Sequence, residues 1–183
     1  MKKIPLTQNK FALVDDDDFK YLNRHKWYAL NTKYTSYVGM RIKGKPIRML
    51  RMHRIILNPK KEEEIDHING NGLDNRRSNL RIVTPIQNKR NRFKRGVSSS
   101  KYKGVNWYKR DKKWCVRIKV NCKYIFLGYF KSEIEAAMAY NKASLEYHGE
   151  YGRRNVLSQK TVLSPFPSPE ALFVFNGFKN DNT

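Results

Sequence analysis

The distribution of positive charge constrains this sequence more than any other feature. Between Arg76 and Tyr124 there are 17 lysine and arginine residues and a single acidic residue, Asp111. This segment therefore supplies 16 of the +22 formal charges of the 183-residue chain. Charges of one sign repel each other, so they must stay at the surface of any fold, where they attract a polyanion such as nucleic acid. The alternative, a basic surface that only faces solvent, usually interleaves charges of both signs.

Composition excludes several other classes of protein. The chain is 39% hydrophobic and 13% aromatic, which is too rich in core-forming residues for a disordered basic tail. Its apolar runs fall short of the roughly 18 residues of a membrane span, so we expect no membrane partner. Cys115 and Cys122 do not form a CxxC pair, so we expect neither a disulfide scaffold nor a structural zinc site. The first ten residues lack the apolar stretch of a signal peptide, which predicts an intracellular protein.

Shifts in composition divide the chain into five segments. Residues 1–52 predict a β-rich region, because Val38, Met40 and Ile42 alternate with other residues and a Lys-Gly-Lys-Pro turn follows. The acidic run at 15–18 predicts a solvated turn or a helix start. The other predicted segments are a polar, motif-rich segment at 53–95, a linker at 96–100, a second domain at 101–156 and a tail at 157–183.

The motif-rich segment combines a carboxylate and an imidazole at a strand end. Asp66 and His67 follow Ile65 at the end of a predicted short strand and precede the loop Asn69–Gly72, so both side chains can reach one site where the strand bends. A carboxylate is a hard metal ligand, and histidine is a proton acceptor near neutral pH. Plain turn chemistry is the alternative, because aspartate and asparagine also favour turns.

A helix is predicted to begin just after Val83. Thr84 is a good N-cap, Pro85 suits the first helical position, and Gln87 completes a capping box. Asn88 then lies at the end of the first turn, where its amide oxygen could complete an oxygen ligand set for Mg²⁺.

The segments Asp66–Gly70 and Asn75–Arg81, followed by Asn88, resemble the HNH endonucleases of the phage homing type. The resemblance implies a ββα-metal module that hydrolyses DNA phosphodiester bonds. It implies His67 as general base, Asp66 and Asn88 as ligands of one Mg²⁺ or Mn²⁺ ion, and Asn79 as a brace that orients His67. Asn88 replaces the last histidine of the family name, and residues 1–52 must support the motif in place of zinc.

The second domain has the pattern of a three-stranded sheet followed by a helix. Alternation puts Val105 and Trp107 on one face, with Trp114, Val116, Ile118, Ile125 and Leu127 continuing that apolar face. A capping box of Ser132 and Glu135 begins the helix, and Gly149 ends it. The predicted helix face is Ile134, Ala137, Met138, Asn141, Leu145 and His148. The predicted fold class of the whole chain is therefore α+β.

This domain resembles the APETALA2-type DNA-binding domain. The residues that carry the resemblance are Tyr102–Val105, Trp114–Ile118, Phe126–Phe130 and Glu135–Asn141. In that family the sheet reads the major groove of duplex DNA. The resemblance implies DNA contacts from Lys103, Asn106, Tyr108, Arg117, Lys119, Tyr124 and Phe126. Family arginines are replaced at Asn106, Tyr108 and Tyr124, so the family's base preference does not transfer.

A basic arm connects the two modules. Its cations could follow a DNA backbone, or the arm could be a solvated linker. The arm comprises Lys89, Arg90, Arg92, Lys94 and Arg95, and the predicted DNA contacts outside the sheet are Arg76, Arg77, Lys89, Arg90 and Arg92. The sequence thus predicts a monomeric, metal-dependent endonuclease of double-stranded DNA. The alternative is a non-enzymatic DNA-binding regulator with a decayed nuclease motif.

Overall fold

A computed structural model describes residues 1–42, 44, 48–94, 96 and 98–157. These residues form a mixed α and β fold of small antiparallel sheets with few helices, in agreement with the predicted mixture. The predicted turn at 43–46, apart from Gly44, and the tail beyond residue 157 lie outside the described residues. No helix among the described residues is long and apolar enough to cross a membrane.

The N-terminal region builds two sheets around a shared apolar core. Its elements are β1 (Lys2–Pro5), β2 (Phe11–Val14), α1 (Asp16–Leu22), β3 (Tyr28–Asn31), β4 (Ser36–Ile42), β5 (Arg48–Arg51) and α2 (Met52–Leu57). Strands β1 and β2 form a hairpin, and the second sheet has the order β3-β4-β5. Ile4, Leu22, Trp27, Val38 and Met52 are buried together. The acidic run begins α1, where negative charge is favoured by the helix dipole.

A second hairpin and a short helix rest on this core. The elements are β6 (Glu64–His67), a 3-10 helix (Arg77–Asn79), β7 (Leu80–Val83) and α3 (Pro85–Asn91). Ile65 and Leu80 join the N-terminal core. The predicted capping box is confirmed, because Thr84 Oγ1 accepts from Gln87 N and Gln87 Oε1 accepts from Thr84 N. The cap fixes where α3 begins and therefore where its side chains meet β6.

The C-terminal module is a three-stranded antiparallel sheet packed on one helix. The elements are β8 (Val105–Tyr108), β9 (Lys113–Val120), β10 (Lys123–Phe130), α4 (Glu133–His148) and a 3-10 helix (Gly149–Tyr151), with strand order β10-β9-β8. Ala136, Ala137 and Tyr140 of α4 pack on the sheet. Gly104 has a φ of +79°, and a Cβ there would lie 2.0 Å from Cδ2 of Tyr140. Only glycine permits this close approach of sheet and helix.

Two details of this module differ from the sequence prediction. Met138 and Leu145 were predicted on the buried helix face but are exposed, and the buried face instead contains Ala136, Tyr140 and Ser144. Small residues on that face allow α4 to approach the sheet, which matters more than the apolar character of longer side chains. In addition, Ser132 Oγ accepts from Ile134 N, one residue earlier than in the predicted box.

The strand alternation also breaks at two points. A β-bulge between Phe126 and Gly128 shifts the register, so that Leu127 and Phe130 both pack on the core although they are three residues apart. Trp107 was predicted to share the apolar face of Val105, yet it is exposed and packs edge-on against Trp114, with ring centroids 4.9 Å apart. The Trp107 ring is therefore held by its contact with Trp114 and not by burial in the core.

A reciprocal lysine pair fastens the two modules together. Lys94 Nζ donates to the carbonyl oxygens of Tyr102, at 2.9 Å, and Val105. Lys103 Nζ donates in the opposite direction, to the carbonyls of Arg90 at 2.6 Å and Arg92 at 2.8 Å. Three residues of the predicted basic arm, Arg90, Arg92 and Lys94, therefore contact the C-terminal module directly, and Arg95 lies outside the described residues.

Candidate active site

A cavity of about 160 Å³ opens where β6 ends against α3. Asp66 and His67 line it from β6, and Asn88 and Asn91 line it from α3. The structure thus brings together three of the four residues predicted as catalytic. The fourth, Asn79, lies at the base of the adjoining loop, outside the lining of the cavity.

His67 is buried and keeps one ring nitrogen unused. Among the described residues, its Nε2 atom has no hydrogen-bond partner. Burial lowers the pKa of His67 from its ordinary value of 6.5, against smaller raising effects from Asn75, Asp66 and Asp74. The imidazole is therefore neutral at neutral pH, and a neutral imidazole with an unpartnered nitrogen is what a general base requires.

Two aromatic side chains hold the His67 ring. The ring centroid of His53 on α2 lies 5.1 Å from that of His67, edge to face, and Tyr37 on β4 lies 5.7 Å away. Burial, followed by the neighbouring His67, lowers the pKa of His53 to about 3. His53 is therefore a neutral packing partner of His67.

The Asp66 carboxylate is already occupied by two partners that the sequence analysis missed. Arg81 Nη2 and Nε donate to Asp66 Oδ2 at 2.7 and 3.0 Å. Asn91 Nδ2 lies 2.9 and 3.0 Å from the two carboxylate oxygens. Both partners could have been found from the predicted elements. Arg81 directly faces Asp66 when β6 and β7 pair, and Asn91 lies one helical turn after Asn88 on the same face of α3.

The donor atoms around Asp66 suit a hard divalent cation. Asn88 Nδ2 donates to Glu64 Oε2 at 2.6 Å, so a second carboxylate lies beside the predicted ligand pair. Carboxylate and amide oxygens are ligands of Mg²⁺ and Mn²⁺, with water and phosphate completing the set. The described residues contain no group of three or more His, Cys, Asp or Glu that could hold a metal.

Asn79 braces the loop between the two strands of the hairpin. Its Oδ1 accepts from Asn69 N at 3.0 Å, and its Nδ2 donates to the carbonyl of Asp74 at 2.8 Å. Within the described residues, no hydrogen bond joins Asn79 to the His67 ring. The Asn75 side chain is buried and raises the pKa of His67 against the effect of burial, so Asn75 is the closer candidate for orienting the imidazole.

Phe93 lines the cavity, and Arg153 packs on its ring. The Arg153 guanidinium stacks 3.5 Å from the centre of the Phe93 ring. Gly70 makes room for both, because a Cβ there would lie 2.4 Å from Phe93 Cε2 and 2.8 Å from Arg153 Nη1. The segment that follows α4 thus reaches the candidate site, a contact that no sequence pattern indicated.

Several predicted DNA contacts are engaged within the protein. Arg76 pairs with Asp74 at 2.7 Å, and Arg77 pairs with Asp18 at 2.8 Å. Part of the acidic run is therefore bound to an arginine and not free in solvent. Lys103, predicted on the DNA-reading face, is half-buried in the reciprocal lysine pair. Burial lowers its pKa to about 8.

The other predicted contacts remain accessible. Lys89 and Arg92 are exposed at the end of α3, and Arg90 between them is half-buried. On the outer face of the C-terminal sheet, Tyr108 is half-buried, and the exposed side chains are Asn106, Arg117, Lys119, Tyr124 and Phe126.

The segment that contains the candidate site is similar to a known protein family. Residues 58–90, which contain β6, β7 and most of α3, match the HNH endonuclease family. An uncharacterized HNH endonuclease of Acanthamoeba polyphaga mimivirus is 30% identical over 151 residues, covering 79% of this chain and 74% of that protein. The chain belongs to the HNH endonuclease family.

This HNH protein also has partial similarity to plant proteins. An AP2-like ethylene-responsive transcription factor of Arabidopsis thaliana is 34% identical over 87 residues, or 46% of the chain and 25% of that protein. APETALA2-like protein 2 of Oryza sativa subsp. indica is 42% identical over 59 residues, or 31% of the chain and 13% of that protein. The chain therefore spans a quarter or less of these plant proteins.

Proposed function

We propose that this HNH protein is a site-specific, divalent-metal-dependent DNA endonuclease of the homing type, with a C-terminal APETALA2-like module that reads duplex DNA. One observation carries the proposal. Asp66, His67 and Asn88 line a single cavity inside the segment that matches the HNH family, and the His67 imidazole is neutral with a free nitrogen.

In this proposal His67 Nε2 removes a proton from the attacking water. The depressed pKa of His67 supports this role, because an imidazole that is already neutral can accept a proton without first losing one. Positioned general bases typically contribute a rate factor of about 10²–10⁴. Packing against His53 and Tyr37 restricts the ring to one orientation.

Asp66 and Asn88 are proposed to hold Mg²⁺ or Mn²⁺ in a ββα-metal arrangement. When bound, such an ion polarises a phosphodiester and stabilises charge on its leaving oxygen. Asp66 is oriented for this task by Arg81 and Asn91, which bind its carboxylate from two sides. One chain supplies one such site, so a monomer would nick one strand.

The outer face of the C-terminal sheet is proposed to recognise the target. Arg117 and Lys119 are exposed there beside aromatic side chains, on a sheet whose opposite face is covered by α4. A face with cations and apolar groups fits the major groove, where base edges offer both acceptors and methyl groups. The partial sequence similarity to a plant AP2-like transcription factor supports this assignment.

Incubation with supercoiled plasmid and with phage genomic DNA tests the proposal. Nicked or linear product is expected with Mg²⁺ or Mn²⁺ and is expected to disappear in EDTA. Binding without any product under every metal condition would favour the non-enzymatic regulator instead.

Variants of the cavity test the assigned roles. Asp66→Ala and His67→Ala are each expected to abolish cleavage and retain DNA binding. Because His67 is packed, His67→Asn provides a second variant of similar size, and His25→Ala outside the cavity is the matched control. Full nicking by folded His67→Asn and His67→Ala proteins would exclude His67 as the base.

A further inference from the structure

Two cation–aromatic pairs lie side by side on the outer face of the C-terminal sheet. In the β9–β10 register, Phe126 lies directly opposite Arg117, and Tyr124 lies directly opposite Lys119. All four side chains are exposed. Among the described residues, no carboxylate pairs with either cation, so both are available to an outside ligand.

The spacing of the two pairs matches the repeat of duplex DNA. Arg117 and Lys119 are two residues apart along an antiparallel strand, which corresponds to about 6.8 Å at about 3.4 Å per residue. Successive nucleotides of one DNA strand are about 3.4 Å apart along the helix axis. Each cation–aromatic pair can therefore address its own base step, with the two pairs two steps apart.

Chemistry decides which step the Arg117–Phe126 pair fits. Arginine donates two parallel hydrogen bonds to guanine O6 and N7, which is the commonest specific contact in the major groove. Phe126 carries no polar atom and is 51% exposed. The apolar group that the major groove offers is the 5-methyl of a pyrimidine, whereas a polar base edge against the ring would lose its hydration without compensation.

The aromatic rings of this face pack against each other and against Lys119. Phe126 packs edge to face against Tyr129 at 4.9 Å, and Tyr129 in turn contacts Tyr108 at 5.3 Å. The Lys119 ammonium lies 5.5 Å from the centre of the Tyr124 ring. Single-strand binding proteins need ring faces free to stack on bases, so this cluster favours a paired duplex.

We propose that the Arg117–Phe126 pair recognises a 5-methylpyrimidine next to a guanine in duplex DNA. The methyl group can belong to thymine or to 5-methylcytosine, since both present it at the same place in the major groove. The proposal deepens the proposed function and rests on it, because it requires that this face of the sheet binds DNA.

Binding measurements with matched duplexes test the proposal. Fluorescence anisotropy of the full chain in EDTA compares alternating TG·CA duplex with the same duplex containing deoxyuridine in place of thymidine. A second comparison uses alternating CG duplex with and without 5-methylcytosine. Loss of one buried methyl is expected to weaken binding about fourfold, and cytosine methylation is expected to strengthen it by a similar factor. The two comparisons distinguish thymine from methylcytosine as the source of the methyl group.

Variants separate the methyl contact from general DNA binding. Phe126→Ala is expected to erase the difference between methylated and unmethylated duplexes while the protein still binds DNA. Phe11→Ala is the matched control, because Phe11 is also 51% exposed and has a neighbouring lysine, but lies on β2. Arg117→Ala is expected to weaken binding to every guanine-containing duplex.

The outcomes distinguish this proposal from the function it rests on. Equal affinity for thymidine and deoxyuridine duplexes and for methylated and unmethylated CG duplexes, together with weaker binding by Arg117→Ala, would overturn methyl recognition and leave the reading face intact. Duplex binding that neither Arg117→Ala nor Phe126→Ala changes would overturn the reading face itself. Tighter binding to the single TG strand than to its duplex would also overturn the proposal, in favour of base stacking.

Discussion

Two arginine–aspartate pairs in this protein have similar geometry and different surroundings. Arg81 and Arg77 each place Nε and Nη2 on one aspartate, at distances between 2.7 and 3.0 Å. The Arg81 side chain is 14% exposed and that of Arg77 is 54% exposed. Burial therefore determines what each pair contributes to stability.

We expect Arg81→Ala to lower the free energy of unfolding by about 3 kcal/mol, because it leaves the buried Asp66 carboxylate without its charged partner. Arg77→Ala is the control and is expected to cost less than about 1 kcal/mol, as is typical of exposed pairs. Urea denaturation of both variants measures the difference. Equal losses would contradict the distinction drawn from burial.

The depressed pKa of His53 predicts a specific loss of stability in acid. The pKa of His53 is about 3 in the folded protein and has its ordinary value of 6.5 in the unfolded chain. Between these two pH values the unfolded chain therefore binds more protons than the folded protein. Stability that is present above pH 6.5 is then lost as pH falls, by about 1.4 kcal/mol per pH unit from this group. His53→Gln is expected to show a correspondingly shallower dependence in denaturation at pH 4.5 to 6.5. Identical slopes for both proteins would contradict the burial of a neutral His53.

At the scale of elements, the sequence predicted features that depend on neighbouring residues, such as the start of α3. It did not predict features that depend on tertiary packing, such as the buried face of α4. The start of α3 follows from Thr84 and Gln87 alone, because a capping box involves only neighbouring residues. The buried face of α4 did not follow, because the close approach at Gly104 selects small residues over Met138 and Leu145. Helix propensity and apolar pattern contain no information about how near the sheet lies.

The candidate site shows the same division. Asp66, His67 and Asn88 were predicted from one continuous stretch of sequence, and they line one cavity. Arg153 comes from a segment more than 60 residues away and was not predicted. Its approach to Phe93 depends on how the two modules dock, which short-range patterns do not encode.

The reciprocal lysine pair gives a prediction at the level of these elements. Lys103→Met removes a cation that binds the carbonyls of Arg90 and Arg92 at the end of α3, so we expect a loss of about 2 kcal/mol in the free energy of unfolding. Lys101→Met is the matched control, because Lys101 is exposed and lies over the ring of Tyr102. Thermal and urea unfolding of the two variants provide the comparison. No loss in Lys103→Met would mean that the contact adds nothing to the docking of the modules.

At the scale of the whole molecule, the charge distribution predicts salt-dependent binding. If Z cations replace counterions on duplex DNA, the logarithm of the affinity falls with the logarithm of salt concentration at a slope of about −0.9Z. Lys89→Ala is expected to reduce the steepness of that slope by about 0.9, because Lys89 is exposed at the end of α3 and is a predicted contact of the DNA backbone. Lys103→Met is expected to leave the slope unchanged, because its ammonium faces backbone carbonyls of the protein.

Titration of binding against potassium chloride measures these slopes. A reduced slope in Lys103→Met would return this lysine to the DNA contacts that the APETALA2 resemblance implies. An affinity of the native protein that barely responds to salt would contradict the assignment of the central positive segment to DNA.

The reciprocal lysine pair also sets a length scale for an enzyme of the proposed kind. Lys94 and Lys103 join the end of α3 directly to the backbone before β8, so the chain between them does not determine how far the cavity lies from the sheet. In such an enzyme the cleaved phosphodiester bond would lie at a constant distance from the bases that the sheet recognises. Lengthening the connecting segment should leave that distance unchanged. A different recognition domain joined to this nuclease would need carbonyl oxygens that accept from Lys94 and a lysine that donates to the end of α3.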